Sequence, residues 1–532
     1  MGEEREGTCS MKLIKINNSS IQIRTNLEEF RDIRINDLLK VYDMDACLIA
    51  MVTGLSDTDA EERIGDSDFL GEIVGVKTID GSIIGSLEDG KFFKAVRRYP
   101  TTGVTIKRIS SVDFSDMLMP DSASGFYLGE YVDYHCGAWV DGNKFFQRHS
   151  CIVGNTGAGK SETVARILEE ASRLPGANLI VFDIHGEYSQ LSYAKNIRIG
   201  EDFPFPIWMF GFQDLVSNLL KIREETATTV MTALRKCYYR VCPDGAENKP
   251  VYFDYDSLIR EMEALDNQVV ETGEYYKSGE KAGMAKTVKG EYAGKLTSTV
   301  GLLRDRMLDS RYSFLFHDEK QGYLYEVLEA VLGTDKPVKN IDLSDVPHDV
   351  AIPLIGVITR MVFDLQKLQD KERIRPVTLV CDEAHVYIPN DYQLSASQKR
   401  MVEVFEDIAK EGRKFGVTLF PATQRPSELN RTIMAQCANV IVGKLNNEND
   451  KALIKGMLPD GDEALIDSVA MFRPGEVLAV GDAVPIPVKI QVALAKERPI
   501  SRTINFWDAW KSDEETEPTA DLIDRYLMQG RR

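Results

Sequence analysis

The stretch Cys151-Ile152-Val153-Gly154-Asn155-Thr156-Gly157-Ala158-Gly159-Lys160-Ser161-Glu162 decides how the rest of this chain is read. Three apolar residues suited to a buried strand run into a loop that fits G-x-x-x-x-G-K-[ST], and a helix-like segment, Glu162 to Ser172, follows. The glycines let backbone N–H groups wrap a chain of phosphates. Lys160 brings a positive charge to the β and γ phosphates, and the Ser161 hydroxyl is a ligand for Mg2+. Residues Gly154 to Glu162 are therefore the candidate loop for ATP, with Mg2+ as its companion ion.

Three further apolar runs end in polar residues in the same manner. Leu179-Ile180-Val181-Phe182 ends at Asp183, Val377 to Val380 leads through Cys381 to Asp382, and Val417 to Phe420 leads to Ala422-Thr423. With residues 151–153 they predict one parallel sheet in an α/β region, with its ligand along the carboxyl edge. Asp382 is placed to orient Mg2+ through its water shell, and Glu383 to polarise the attacking water. A solvated turn is the rival reading of this carboxylate pair, and the glycine loop upstream argues against it. Lys160 and Asp382 stand 222 positions apart, a long interval for one sheet, which predicts an insertion between them. The run Phe182 to Tyr188 brings Asp183 and Glu187 to the same edge, where Asp183 either supports the metal site or caps a turn. His185 and His385 belong to a set of six histidines without clustered spacing, which favours local hydrogen bonding over metal ligation.

Two more residues sit at informative turns. Arg413 lies in Lys410-Glu411-Gly412-Arg413-Lys414-Phe415-Gly416, between a helix-like segment and the strand at Val417; it reads as a finger into a neighbouring subunit's γ-phosphate or as a solvated charge. Gln424 follows that strand and reads as a γ-phosphate sensor, or as the lead-in to a helix at Pro426-Ser427.

Around this core the 532 residues divide by pattern. Residues 1–124 read as short strands with turns at Asn17 to Ser20, Asp80-Gly81 and Asp89-Gly90, which predicts a small β-barrel. Residues 125–204 hold the first part of the α/β core. Residues 205–338 turn helical: Leu296, Val300, Leu303 and Met307 share one helix face. Residues 339–498 resume the core, and 499–532 form an extension with a short amphipathic helix that docks on a neighbour or partner. Composition, at 43% hydrophobic and 28% charged, excludes a disordered or fibrous chain. Eight cysteines without C-x-x-C spacing indicate neither a zinc site nor a disulfide framework, and no apolar run is long enough to span a bilayer. These features predict a cytoplasmic protein with no membrane association. The net charge of −19 excludes a chain that is basic all over, so any polyanion site is local.

Taken in order, GNTGAGKS, FDIHGEY, VCDEAHVYIP, EGRKFG and ATQRPSEL resemble the HerA branch of the HerA/FtsK ATPases, and Asn439 to Ile454 is similar to that branch beyond the sensor strand. The resemblance implies a RecA-like P-loop NTPase core with an N-terminal small β-barrel and a helical insertion. It implies a homo-hexameric ring that uses ATP and Mg2+ to drive double-stranded DNA through its bore. A separate nuclease or NADase-type effector is the implied partner. By motif position Arg413 becomes a finger acting in trans and Gln424 a sensor, while Lys444 stands where an arginine is frequent in the branch. Lys399-Arg400 is a candidate DNA contact, with a solvated helix face as the alternative, as it is for Lys277, Lys281, Lys286, Lys289 and Lys295. Two rivals remain: a nucleotide-binding ring that scaffolds and activates an effector, and a conjugation or secretion motor.

Overall fold

The computed structural model describes residues 11–61, 73–101, 103–120, 124–200, 202–216, 222, 228–245, 249–390, 394, 396–458, 463–500, 506–511 and 518–528. Two compact units divide the chain: residues 1–145 with 438–493, and residues 146–437 with 494–532.

The first unit opens with the antiparallel strands β1 (Lys12–Ile16), β2 (Ser20–Thr25), β3 (Leu38–Tyr42), β4 (Cys47–Glu61), β5 (Ile73–Glu88), β6 (Lys91–Phe93) and β7 (Thr105–Arg108). They form one sheet in the order β1-β2-β5-β4-β3-β7, with β6 on β5. Ile21, Ile23, Leu39, Val41, Leu48, Ala50, Val52, Ile79 and Ile106 make its core, and their period of two is the alternation of side chains along a strand. The described pairing runs from β1 to β7 as an open path of one seven-stranded sheet, which leaves the expected barrel unconfirmed. The Asn17 turn forms as expected, with Asn17 Oδ1 accepting the Ser19 and Ser20 N–H groups. Asp89-Gly90 also turns, with φ of 51° and 78°. Asp80-Gly81 does not: it lies inside β5, paired with Gln22 and Ile21. Glycine is needed there for close approach, because a Cβ at Gly81 would meet Ile21 Cγ1 at 3.1 Å and the Met51 carbonyl oxygen at 3.2 Å.

The chain continues through β8 (Gly125–Tyr131) and β9 (Cys136–Asp141) into the second unit. There stand β10 (His149–Val153), β11 (Leu179–Asp183), β12 (Ala194–Arg198), β13 (Val269–Tyr275), β14 (Ala285–Lys289), β15 (Val338–Asp342), β16 (Val377–Cys381) and β17 (Val417–Thr423). Six of these form a sheet in the order β12-β15-β11-β16-β17-β10. Its neighbouring strands run parallel: β12 with β15, β15 with β11, β11 with β16, β16 with β17, and β17 with β10. The four strands read from the sequence are the contiguous group β11-β16-β17-β10. The helices Lys160–Ser172, His348–Leu368 and Ala396–Glu411 connect or flank them, as parallel crossovers require.

The chain then returns to the first unit with β18 (Cys437–Val442), β19 (Glu476–Gly481) and β20 (Val488–Val492). These extend β8 and β9 into an antiparallel arrangement ordered β18-β19-β20-β8-β9. Residues 438–493 thus group with residues 1–145 in this unit, and β20 pairs with β8.

Residues 205–338 are helical at Thr228–Val241, Tyr255–Asp266, Thr297–Leu308 and Tyr323–Leu332, and Leu296, Val300 and Leu303 are buried as the stripe predicts. The segment also carries a two-stranded ribbon, β13 with β14, so Lys286 and Lys289 lie on a strand and not on a helix face.

Candidate functional site

The carboxyl ends of β10, β16 and β17 gather one site. β10 delivers the glycine loop, whose entry is fixed by pairing Val153 with Thr423 and by the Gly154 N–H donated to the Thr423 carbonyl oxygen at 3.3 Å. Gly157 and Gly159 take φ of 78° and 90°. A Cβ at Gly157 would meet nothing within 4 Å, so the need at that position is the left-handed backbone. Asn155 closes the loop by accepting the Ala158 N–H at 3.0 Å, and the helix Lys160–Ser172 starts at once, so its free N–H groups point at the loop.

Lys160 is nearly enclosed, 9% exposed at its side chain, and its ammonium stands 2.6 Å from Asp382 Oδ1 and 2.8 Å from Glu383 Oε1. Burial works against its charge, but the two carboxylates outweigh burial and hold its pKa above the ordinary lysine value. Glu383 has a φ of 45°, a left-handed conformation uncommon outside glycine, and leads the 3-10 turn Ala384–Val386. Gln424 reaches across from β17: its Nε2 donates to Glu383 Oε1 at 2.9 Å, and its Oε1 accepts the Thr156 hydroxyl. Gln424 thus touches both the glycine loop and Glu383.

Asp183 is wholly buried at the end of β11. It accepts the Glu187 N–H at 3.0 Å, the Tyr188 N–H at 2.9 Å and the Asn340 amide at 3.1 Å, so it caps the turn that follows. Burial pushes its pKa up to about 6 in spite of those donors. Glu187 joins the same turn through its backbone, and its Oε2 is buried without a hydrogen bond among the described residues. Glu162 Oε2 is orphaned in the same way, and burial raises that carboxyl's pKa.

Arg413 is not in this pocket. It sits exposed in the 3-10 turn Gly412–Phe415, before the first residue of β17, whereas Gln424 follows the last. Seven strand residues at about 3.3 Å each put the two at opposite edges of the sheet. His149, missed in the sequence, holds that turn in place. Its Nδ1 accepts the Leu419 N–H at 3.0 Å, which leaves Nε2–H to donate to the Ala409 carbonyl oxygen at 3.0 Å. Burial keeps this histidine neutral by lowering its pKa, and Arg413 adds to the effect. Lys399 is exposed in the first turns of the helix Ala396–Glu411, with Arg400 half-buried beside it.

The chemistry of the donors fits a magnesium nucleotide. The loop N–H groups, Lys160 and the helix start form a cradle for phosphates, and Ser161 and Asp382 are hard oxygen ligands. Among the described residues no group of three or more His, Cys, Asp or Glu side chains could hold a metal ion without the phosphates.

Residues 126–362 match the family model for the central domain of helicase HerA. Over that stretch the chain is similar to the HerA helicases. It is 27% identical over 383 residues to the DNA double-strand break repair helicase HerA of Saccharolobus solfataricus, over 70% of each chain. To the protein of the same name in Sulfurisphaera tokodaii it is 28% identical over 382 residues, or 71% of each. Among solved structures, VirB4 of Thermoanaerobacter pseudethanolicus is similar at 16% identity with a TM-score of 0.49, covering 71% of this chain and 98% of that one. The HerA match takes in the phosphate loop and ends before Asp382, so the remaining site residues rest on the geometry above. No helix among the described residues is long and apolar enough to cross a membrane.

Proposed function

We propose that this HerA-type chain is the ATPase subunit of a homo-hexameric ring that moves double-stranded DNA, in company with a nuclease or another effector protein. The observation that carries the reading is the division of the sheet of the second unit. The phosphate loop, Asp382, Glu383 and Gln424 lie at one edge and Arg413 at the other. An arginine about 23 Å of strand away from its own nucleotide loop serves a neighbour's loop in a head-to-tail arrangement, and a closed rotation of such contacts makes a ring.

In this reading Gly154 to Glu162 hold the phosphates, and Lys160 leaves its two carboxylates for the γ-phosphate. Ser161 and Asp382 would hold Mg2+, which supplies charge neutralisation on the β and γ oxygens when bound. Freed of Lys160, Glu383 orients the attacking water and takes its proton, Gln424 reports the state of the phosphate to β17, and Asp183 and Glu187 keep the edge around Asp382 rigid. An intact Asp382-Glu383 pair favours a motor over a scaffold, since a scaffold needs no water-activating carboxylate.

Duplex DNA of unrelated sequences should raise ATP hydrolysis to similar extents, and the stimulation should fall steeply with added salt as counterions are released. If neither duplex nor single-stranded DNA changes turnover at low salt, with or without a copurifying protein, the scaffold replaces the motor.

A further inference from the structure

His385 follows the carboxylate pair by two residues, and none of the roles above uses it. Its side chain is 14% exposed, and its Nδ1 faces two oxygens, Thr423 Oγ1 at 3.0 Å and Glu383 Oε2 at 3.4 Å. Thr423 is itself fully buried and already accepts the Arg425 N–H at 3.0 Å. The two oxygens of Glu383 are served unequally. Oε1 receives Lys160 and Gln424, while Oε2 is buried and receives no hydrogen bond among the described residues. A buried carboxylate oxygen demands a donor, and Nδ1 is a nitrogen within reach at 3.4 Å, although no hydrogen bond joins the two in this structure. An unprotonated nitrogen lone pair would repel the carboxylate, so the charge on Glu383 selects the tautomer that carries its proton on Nδ1.

We infer that His385 is a positioning residue for hydrolysis: its Nδ1–H, standing between Thr423 Oγ1 and Glu383 Oε2, is the donor that takes up Oε2 once Lys160 leaves the carboxylate, and so sets the rotation of the Glu383 carboxylate and ties it to the tip of β17. The inference rests on Glu383 as the base. Thr423 and Gln424 are consecutive, so one strand tip addresses both oxygens of one carboxylate, Gln424 directly at Oε1 and Thr423 through His385 at Oε2. Any movement of that tip turns the carboxylate as a unit. A base held to one orientation relative to its water is worth far more than one free to rotate.

The test uses the full chain, with ATP turnover measured beside the affinity for a non-hydrolysable ATP analogue. His385→Ala should lower kcat about tenfold or more while KM and analogue affinity stay within about twofold. His385→Asn places an amide N–H where Nδ1–H stands and should recover most of the rate, whereas His385→Gln, which reaches the Nε2 position, should not. Thr423→Val should lower kcat in the same sense, and joined to His385→Ala it should add nothing, because the two act as one contact. Nitrogen-15 spectra of the parent imidazole should show the proton on Nδ1. The inference is overturned by parental kcat in His385→Ala beside an inactive Glu383→Gln. It is equally overturned by a loss carried by KM, by an asparagine no better than a glutamine, or by an imidazole protonated on Nε2. Parental turnover in Glu383→Gln removes the base and the role of His385 with it. If His385→Ala lowers the melting temperature, Thr423→Val and the parent spectrum carry the decision.

Discussion

Lys160, Asp382 and Glu383 form a buried triad in which one cation answers two anions, at 2.6 and 2.8 Å, and this makes the single substitutions unequal. Lys160→Ala removes the phosphate charge and also strands two carboxylates, so nucleotide affinity should fall, as titration of a fluorescent ATP analogue would show. Glu383→Gln keeps the shape and removes the base; binding should persist while turnover drops by about a hundredfold or more. Parental turnover would refute the base assignment. Lys339 is a different kind of buried charge. It is fully enclosed in β15, donates to Asn178 Oδ1 at 2.8 Å, and burial pushes its pKa from 10.5 down to about 8, with Arg375 contributing. Between about pH 8 and 10.5 the unfolded chain binds a proton that the native chain has lost, so this group's cost is fully present below pH 8 and is relieved as pH rises. Urea midpoints of the parent should therefore improve relative to Lys339→Met across that window, by up to about 3 kcal/mol in stability; a constant gap would mean that Lys339 keeps its proton. The phosphate loop and the carboxylate pair were legible because each is a local pattern of residue types. Lys339, Asn340 and Asp342 hid β15, because a buried strand whose polar groups find polar partners does not look apolar. The roles of His149 and His385 depend on which atoms face them, and no spacing announces that.

At the scale of elements, the helix Ala396–Glu411 touches more of the proposed mechanism than any motif suggests. Lys399 and Arg400 stand in its first turns, Asn430 from the segment after Gln424 donates to its Glu406 Oε1 at 3.0 Å, His149 binds its Ala409 carbonyl, and Arg413 follows its end. The twelve helical rises from residue 399 to 411 span about 18 Å as a rigid rod, long enough to link a contact at its start to the turn at its end. Lys399→Ala combined with Arg400→Ala should weaken duplex stimulation equally for all sequences and reduce the salt slope by about one unit for each phosphate that is no longer neutralised. A parallel fall in hydrolysis without DNA would assign the pair to the fold instead. The ribbon β13–β14 shows the opposite limit of sequence reading. Every residue of β13 is exposed, so neither face carries the alternation that burial imposes, and the lysines around it were read as helical. Asp80-Gly81 failed for a related reason: the dipeptide signals a turn, yet at this position glycine answers a crowded neighbour.

For the whole molecule, the order of strands explains both what was legible and what was not. Four apolar runs ending in polar residues were enough to predict one parallel sheet with its ligand along the carboxyl edge; that they stand side by side as β11, β16, β17 and β10 is known only from the structure. The pairing of β8 with β20 joins residues more than 350 positions apart in antiparallel fashion, and nothing local marks it. The same sheet order makes the proposal of a ring testable without a structure of the ring. Arg413 and the phosphate loop lie at opposite edges of one sheet, so a chain lacking Arg413 keeps an intact loop, and a chain lacking Lys160 keeps an intact finger. Each variant alone should assemble and hydrolyse poorly, since fingers of this kind contribute on the order of 10³ to 10⁵ in rate. Mixed in one ring, Arg413→Ala and Lys160→Ala chains create interfaces where a complete loop meets a complete finger, and hydrolysis should return to a fraction set by how often that order occurs. Native mass spectrometry would verify that the rings are mixed and count their chains. Verified mixed rings without any recovery would place Arg413 outside the neighbour's site and leave the opposite edge of the sheet without a catalytic part to play.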